Sequence, residues 1–283
     1  MSSALVFSIE EFSVFDGPGM RTSVFLMGCL LRCEWCHNPE GQAFGNSIIK
    51  SPNGCIGCQN CMRYADREEG RTVFTEKSIK NCPRNLLRYC SKEYTSSELC
   101  ENLSKNLSIL NAAGGGITFS GGEPTASAEF LLECLSLLKG RVNRAVQTSG
   151  YCSSEIFSRV LDNCDYMLFD IKLVDEAEHI RYTGVSNAMI LRNFQALAHS
   201  TVEYVIRTPL IPGVTDTVKN IEGIARLLNE YGIKYIELLP YNKMAGSKYQ
   251  LAGMTYSPSF DEKAPVKTRE EIFAGYGITS KII

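Results

Sequence analysis

From residue 93 onward, short apolar runs alternate with longer amphipathic ones. GITFSGGE (116–123), RAVQTSG (144–150), YMLFDIKL (166–173), YVIRTPLIPG (204–213) and KYIELLPY (234–241) read as buried strands. RTSVFLMG (21–28) reads as an earlier strand of the same kind. Between the later ones, ASAEFLLECLSLLKG and TVKNIEGIARLLNEYG space their apolar residues for a helix and stop near a glycine. Six strands with crossover helices predict a parallel α/β structure, either an open sheet or a full or partial barrel.

In each of these architectures functional side chains gather at the carboxyl ends of the strands. Here those ends carry Cys29, the run Gly121-Gly122-Glu123, Gln147 with Thr148, Asp170 with Lys172, Arg207 and Asn242. One polar strand end means little, but six such ends predict a shared site. Asp170 and Lys172 stand two apart among the apolar Leu168, Phe169 and Ile171. Both are therefore expected on one face, paired with each other or used.

Residues 47–92 interrupt the rhythm. They show neither helical nor strand periodicity and hold nine Lys/Arg against four Asp/Glu, a local +5. Burial alone would struggle to fold such a stretch, so a metal core is the expected organiser. The predicted organisation is a main unit of residues 1–46 and 93–283, with residues 47–92 inserted as a subdomain. Over the whole chain of 283 residues, 29 basic and 31 acidic side chains leave −2, which argues against wholesale nucleic-acid binding. MSSALVFSIEEF lacks the basic start of a signal peptide, and no apolar run approaches membrane-spanning length. A cytoplasmic protein without membrane contact is expected.

The chemistry enters with twelve cysteines, many for a chain in a reducing compartment, where they point to metal or catalysis. GCLLRCEWCHNPE (28–40) holds Cys29, Cys33 and Cys36. Three thiolates on one short loop can grip an iron–sulfur cubane and leave one iron open for a substrate or cofactor. Two other readings stand beside this one: buried core cysteines, and a zinc site completed by His37.

Cys29-x3-Cys33-x2-Cys36 after a first strand and GGEP (121–124) after a second resemble the radical S-adenosylmethionine (SAM) superfamily. With DGPGMR (16–21), FDIK, IRTPLIPG and LLPYN in order, nearly the whole chain is similar to the activating enzymes of glycyl radical enzymes. The resemblance implies a partial (β/α)6 radical SAM barrel carrying a ferredoxin-like iron–sulfur insertion. It also implies a [4Fe-4S] cluster on Cys29, Cys33 and Cys36 whose open iron chelates SAM. One electron would then cleave SAM to methionine and a 5′-deoxyadenosyl radical, which takes a hydrogen atom from a glycine of a partner glycyl radical enzyme. A radical SAM enzyme acting on a small molecule is the alternative, and a metal-stabilised electron-transfer module without turnover is the third reading.

Carried over residue by residue, the resemblance places Gly121, Gly122, Glu123, Thr148, Asp170, Ile171, Lys172 and Arg207 around SAM. Trp35, Cys36 and His37 border the adenine, Asn242 stands at the adenosyl group, and Asp16 meets the incoming glycine loop. Two positions depart from the family pattern. Gln147 replaces a frequent acidic residue, which puts monovalent-cation binding in doubt, and Asn242 replaces a histidine, which removes ring stacking.

In the insertion, Cys55-x2-Cys58-x2-Cys61 begins like a ferredoxin run, but Ala65 fills the place of its fourth cysteine. Cys82, followed by Pro83, is the expected substitute. One auxiliary [4Fe-4S] cluster on Cys55, Cys58, Cys61 and Cys82 is therefore predicted, with zinc as the other option. The surplus of positive charge there suits a flavodoxin or ferredoxin electron donor, or else is simply a solvated basic face. The resemblance further implies a monomer, and the insertion implies a partner from the dehydratase, decarboxylase or lyase branch. Cys90, Cys100, Cys134, Cys152 and Cys164 carry no assignment, and His179 and His199 read as structural or exposed.

Overall fold

The computed structural model describes residues 1–51, 53–68, 71–252 and 254–283. It begins with a strand absent from the sequence reading, β1 (Ser3–Ser13), which turns through residues 14–20 into antiparallel β2 (Arg21–Leu26). The insertion holds β3 (Ile48–Lys50), β4 (Asp66–Glu68), β5 (Arg71–Val73) and β6 (Leu87–Tyr89), paired as two short ribbons, β3 with β6 and β4 with β5. β7 (Lys92–Thr95) then returns antiparallel to β1 and joins the main sheet.

The remaining strands are β8 (Gly116–Gly121), β9 (Asn143–Thr148), β10 (Tyr166–Asp170), β11 (Glu203–Leu210), β12 (Tyr235–Pro240) and β13 (Thr279–Ile282). The sheet order is β13-β12-β11-β10-β9-β8-β2-β1-β7, and every neighbouring pair from β2 to β13 is parallel. All six expected strands are present, in one sheet and in chain order.

Alternation along the strands gives the sheet two unlike faces. Phe119, Val146, Phe169, Ile206 and Ile236 pack with the crossover helices in the main core. On the other face, Ala145, Leu168 and Val205 form a small apolar layer. Around them stand polar or charged residues such as Thr118, Gln147 and Arg207. The two predicted helices form at Ala128–Leu138 and Val218–Glu230. The second begins where the Thr217 side chain accepts from the Asn220 amide, a cap that stabilises a helix by about 1 kcal/mol.

The insertion is built differently. Its helices, Asn60–Arg63 and Glu76–Lys80, span a turn or little more. Among its described residues, the buried apolar side chains are Cys61, Leu87 and Cys90. Its base is stitched by the Cys90 amide to the Ser47 carbonyl at 2.7 Å, while Asn46 bonds both backbone groups of Ser91.

Candidate active site

Beyond Leu26 the chain leaves β2, turns at Gly28 (φ 98°) and enters the cysteine loop. Backbone bonds fix that loop at both ends. Gly28 N–H donates to the Gly41 carbonyl (2.9 Å), and the amides of Arg32 and Glu34 donate to Thr183 and Tyr182 (2.7 and 3.1 Å). All three thiols are free and partly buried. Burial, with Glu123 and Cys36 nearby, pushes the Cys29 thiol up to about 12, and burial does the same to Cys33. Cys36 is raised as well, again chiefly by burial. Without a cationic core these groups stay protonated, so binding one must release their protons. Among the described residues no three His, Cys, Asp or Glu side chains stand close enough to grip a single ion. The thiols instead line a shared cavity of about 880 Å³.

That cavity lies at the carboxyl ends of the parallel strands. Cys29, Cys33 and Cys36 share its wall with Gly121, Gly122, Glu123, Gln147, Thr148, Asp170, Lys172 and Asn242, and Trp35, His37 and Asp16 also reach it. The glycine pair is sterically required. A Cβ on Gly121 would lie 2.2 Å from the Leu26 carbonyl oxygen, and one on Gly122 would lie 2.4 Å from those of Gly28 and Gly41. These glycines let β8 close against the cysteine loop.

Glu123 lines the cavity with its side chain already engaged by the protein. Its buried carboxylate accepts from the hydroxyls of Thr148 (2.6 Å), Ser149 (2.6 Å) and Thr125 (2.8 Å), and from the Ser149 amide (2.9 Å). A carboxylate with its lone pairs so committed ties β8 to the end of β9 and has little left for a ligand.

Asp170 does have capacity left. Its Oδ2 pairs with Lys172 at 3.1 Å, while its buried Oδ1 meets no donor among the described residues. β10 stops at Asp170, so Lys172 reaches its partner from the following loop and not from the strand. Burial alone would lower the Lys172 ammonium, but Asp170, with the thiolate forms of Cys33 and Cys29, outweighs it and raises its pKa. A second buried, unpartnered oxygen belongs to Glu40 Oε2, at the same cavity. Lys248, on the helix Ala245–Leu251, reaches Asn38 Oδ1 at 2.8 Å and Glu40 Oε1 at 3.9 Å. The sequence reading quoted HNPE without assigning Glu40, and nothing in sequence spacing connects it to Lys248.

Two expected residues stand apart from the cavity. The Ile171 side chain belongs to the main core, because the alternation of β10 carries it away from Asp170. Arg207 is 3% exposed, and its Nε donates to Glu237 at 2.8 Å while its Nη2 donates to the Phe15 carbonyl. Its carboxylate partner is therefore supplied by β12. Trp35 both borders the cavity and packs with Leu173, Tyr182 and Tyr241, while the exposed Asn242 accepts at Oδ1 from the Met244 amide.

Residues 14–20, between β1 and β2, are fastened from several sides. The Asp16 carboxylate accepts from Ser13 and Ser23, both at 2.6 Å, and its carbonyl accepts from Thr118 at 2.7 Å. Arg21 is fully buried, and among the described residues it pairs with no carboxylate. It donates to Thr118 Oγ1, to the carbonyls of Pro18 and Ile117 and to Asn143, and burial lowers its pKa to about 10 despite Asp16.

In the insertion, Cys55, Cys58, Cys61 and Cys82 line one small hollow of about 60 Å³ together with Lys50 and Arg84. Unlike the thiols of the main cavity, two of these are lowered from the usual thiol range. The Gly57 amide lowers Cys55, and the Leu86 amide, 3.4 Å from the sulfur, lowers Cys82.

A family model described as a 4Fe-4S single cluster domain matches residues 15–191. The chain is 35% identical to the 4-hydroxyphenylacetate decarboxylase activating enzyme of Clostridium scatologenes, over 90% of this chain and 88% of that protein. It is 33% identical to the choline trimethylamine-lyase activating enzyme of Oleidesulfovibrio alaskensis, over 89% of this chain and 88% of that one. Among solved structures, a radical SAM methyltransferase from Sphaerobacter thermophilus aligns with 99% of this chain and 77% of its own. The TM-score is 0.51 at 15% identity, a likeness of fold.

Proposed function

The chain belongs to the radical SAM activating enzymes of glycyl radical enzymes, and from that premise we propose how its residues divide the work. A [4Fe-4S] cluster and SAM, when bound, would supply one-electron cleavage of the sulfonium and thereby removal of a hydrogen atom from a backbone glycine of the partner. Cys29, Cys33 and Cys36 would hold that cluster. The fit rests on their chemistry, three free thiols on one anchored loop, each facing the same cavity.

The observation that carries the assignment of the cavity is the orphaned Asp170 Oδ1 beside those thiols. An unpaired buried acceptor costs roughly 1–3 kcal/mol, so a ligand with a hydroxyl or ammonium donor would relieve it. Lys172 balances the thiolate charge and can meet a ligand carboxylate. Gly121 and Gly122 let backbone approach the ligand, while Thr148, His37 and Asn242 offer polar contacts around it. Trp35 closes one wall against water, and Asp16 stands where the partner's glycine would enter.

The sheet is proposed to be a partial (β/α)6 barrel, with residues 47–92 as a ferredoxin-like insertion holding one auxiliary [4Fe-4S] cluster on Cys55, Cys58, Cys61 and Cys82. The lowered thiols and the poverty of buried apolar groups support this reading. The basic surface there would receive an acidic flavodoxin or ferredoxin, with the chain acting as a cytoplasmic monomer. Among the described residues no helix is long and apolar enough to cross a membrane. The partner would be a decarboxylase or lyase, as the names of the relatives indicate. Those names also favour a protein substrate over a small molecule. Anaerobic reconstitution tests the reading: two cubanes' worth of iron and sulfide, with reductant-dependent 5′-deoxyadenosine, support it, and a loaded protein that leaves SAM intact overturns it.

A further inference from the structure

Arg207 stands apart from the cavity yet holds the loop of residues 14–20 that borders it. A buried guanidinium costs several kcal/mol unless its charge and its donors are met. Here Glu237 meets the charge, and a donor of the same guanidinium reaches the carbonyl of Phe15, one residue before Asp16. The other anchors of residues 14–20 come from close by: Ser13 on β1, Arg21 and Ser23 on β2, and Thr118 on the adjacent β8. Arg207 reaches the loop from β11, with β8, β9 and β10 lying between β11 and β2 in the sheet. It therefore ties the loop to the far half of the sheet. The side chains of Val14 and Phe15 are 59% and 63% exposed, so the loop turns its backbone inward and its apolar groups outward.

We propose that Arg207, paired with Glu237, is a positioning residue that fixes Asp16 and its neighbours for the protein substrate and makes no contact with SAM. This rests on the activating-enzyme reading and deepens it by separating the group that governs partner engagement from those that hold the cofactor. Lysine is a poor replacement, because a single ammonium lacks the planar fork that reaches a carboxylate and a carbonyl in different directions.

The test uses reconstituted holoenzyme with matched cluster content, the variants Arg207→Lys and Glu237→Gln, and a glycyl radical enzyme that the parent protein activates. Four quantities are read: amide exchange over residues 13–20, 5′-deoxyadenosine formed without the partner, the KM for SAM and the KM for the partner. The expected result is faster exchange confined to that segment and a partner KM raised about tenfold, with uncoupled SAM cleavage within about twofold of the parent. A raised KM for SAM with an unchanged partner KM would return Arg207 to the cofactor and overturn the proposal. Unchanged parameters, or a uniform loosening of the whole sheet, would overturn it as well. If Arg207→Lys fails to fold, Glu237→Gln carries the test, since it keeps the fork and removes only the opposing charge. Failure of the activating-enzyme reading looks different: the parent protein itself would then give no 5′-deoxyadenosine.

Discussion

At the scale of single residues, hydrogen-bond satisfaction separates side chains that hold the site together from those left open for a ligand. Glu123 is of the first kind, and Glu123→Gln would replace one acceptor oxygen with an amide donor facing the Thr148 or Ser149 donors. The variant should lose about 1–3 kcal/mol of stability in the metal-free protein, read as a lower Tm, before any effect on SAM is considered. An unchanged Tm would show the carboxylate free for a ligand after all. The sequence displayed Glu123, Arg207 and Asp170 alike as polar groups near strand ends, and only the fold tells them apart. Thr148 and Ser149 consume the first, and Glu237 and Phe15 consume the second. The third keeps a free oxygen. Glu40 and Lys248 escaped notice for the complementary reason, being joined by a helix packed from 200 residues away.

At the scale of elements, the six parallel strands were legible because burial on both faces leaves a nearly continuous apolar run. β7 and β13 were not, since Lys92–Thr95 and Thr279–Ile282 are short and largely polar edge pieces. β1 is held partly from outside its own pattern. Glu133, on the helix Ala128–Leu138, accepts from the amide and hydroxyl of Ser2 and from Ser96, which lowers its carboxyl from 4.5 to about 2. A lowered carboxyl stabilises the fold above its unfolded pKa and loses that contribution as pH falls through its folded one. The Tm advantage of the parent over Glu133→Gln should therefore be full at neutral pH, shrink below about pH 4.5 and vanish near pH 2. An advantage independent of pH would exclude this docking contact. The insertion's elements are too small to stand alone, so removing iron should abolish amide protection across residues 48–89 while the sheet keeps its own. Retained protection there would speak against a metal core.

Over the whole molecule, charge is divided unevenly. A chain of net −2 concentrates +5 in residues 47–92, where Lys77, Lys80, Arg84 and Arg88 are exposed. Association with an acidic electron carrier should weaken steeply with salt, and Lys77→Glu with Lys80→Glu should slow reduction without changing cluster content. Rates indifferent to both would leave the basic face merely solvated. The two cysteine sets divide the metal chemistry in the same way. Partly buried thiols raised by burial stand at the cavity, while in residues 47–92 backbone amides lower Cys55 and Cys82. The central claim is that the cavity delivers a radical to another protein's glycine. The most direct measurement is the electron-spin spectrum of the partner after anaerobic mixing with reduced holoenzyme and SAM. A glycyl doublet that grows in step with 5′-deoxyadenosine, and is absent with Cys36→Ala, is the predicted result. SAM cleavage at full rate with a partner that never acquires the doublet would contradict the account.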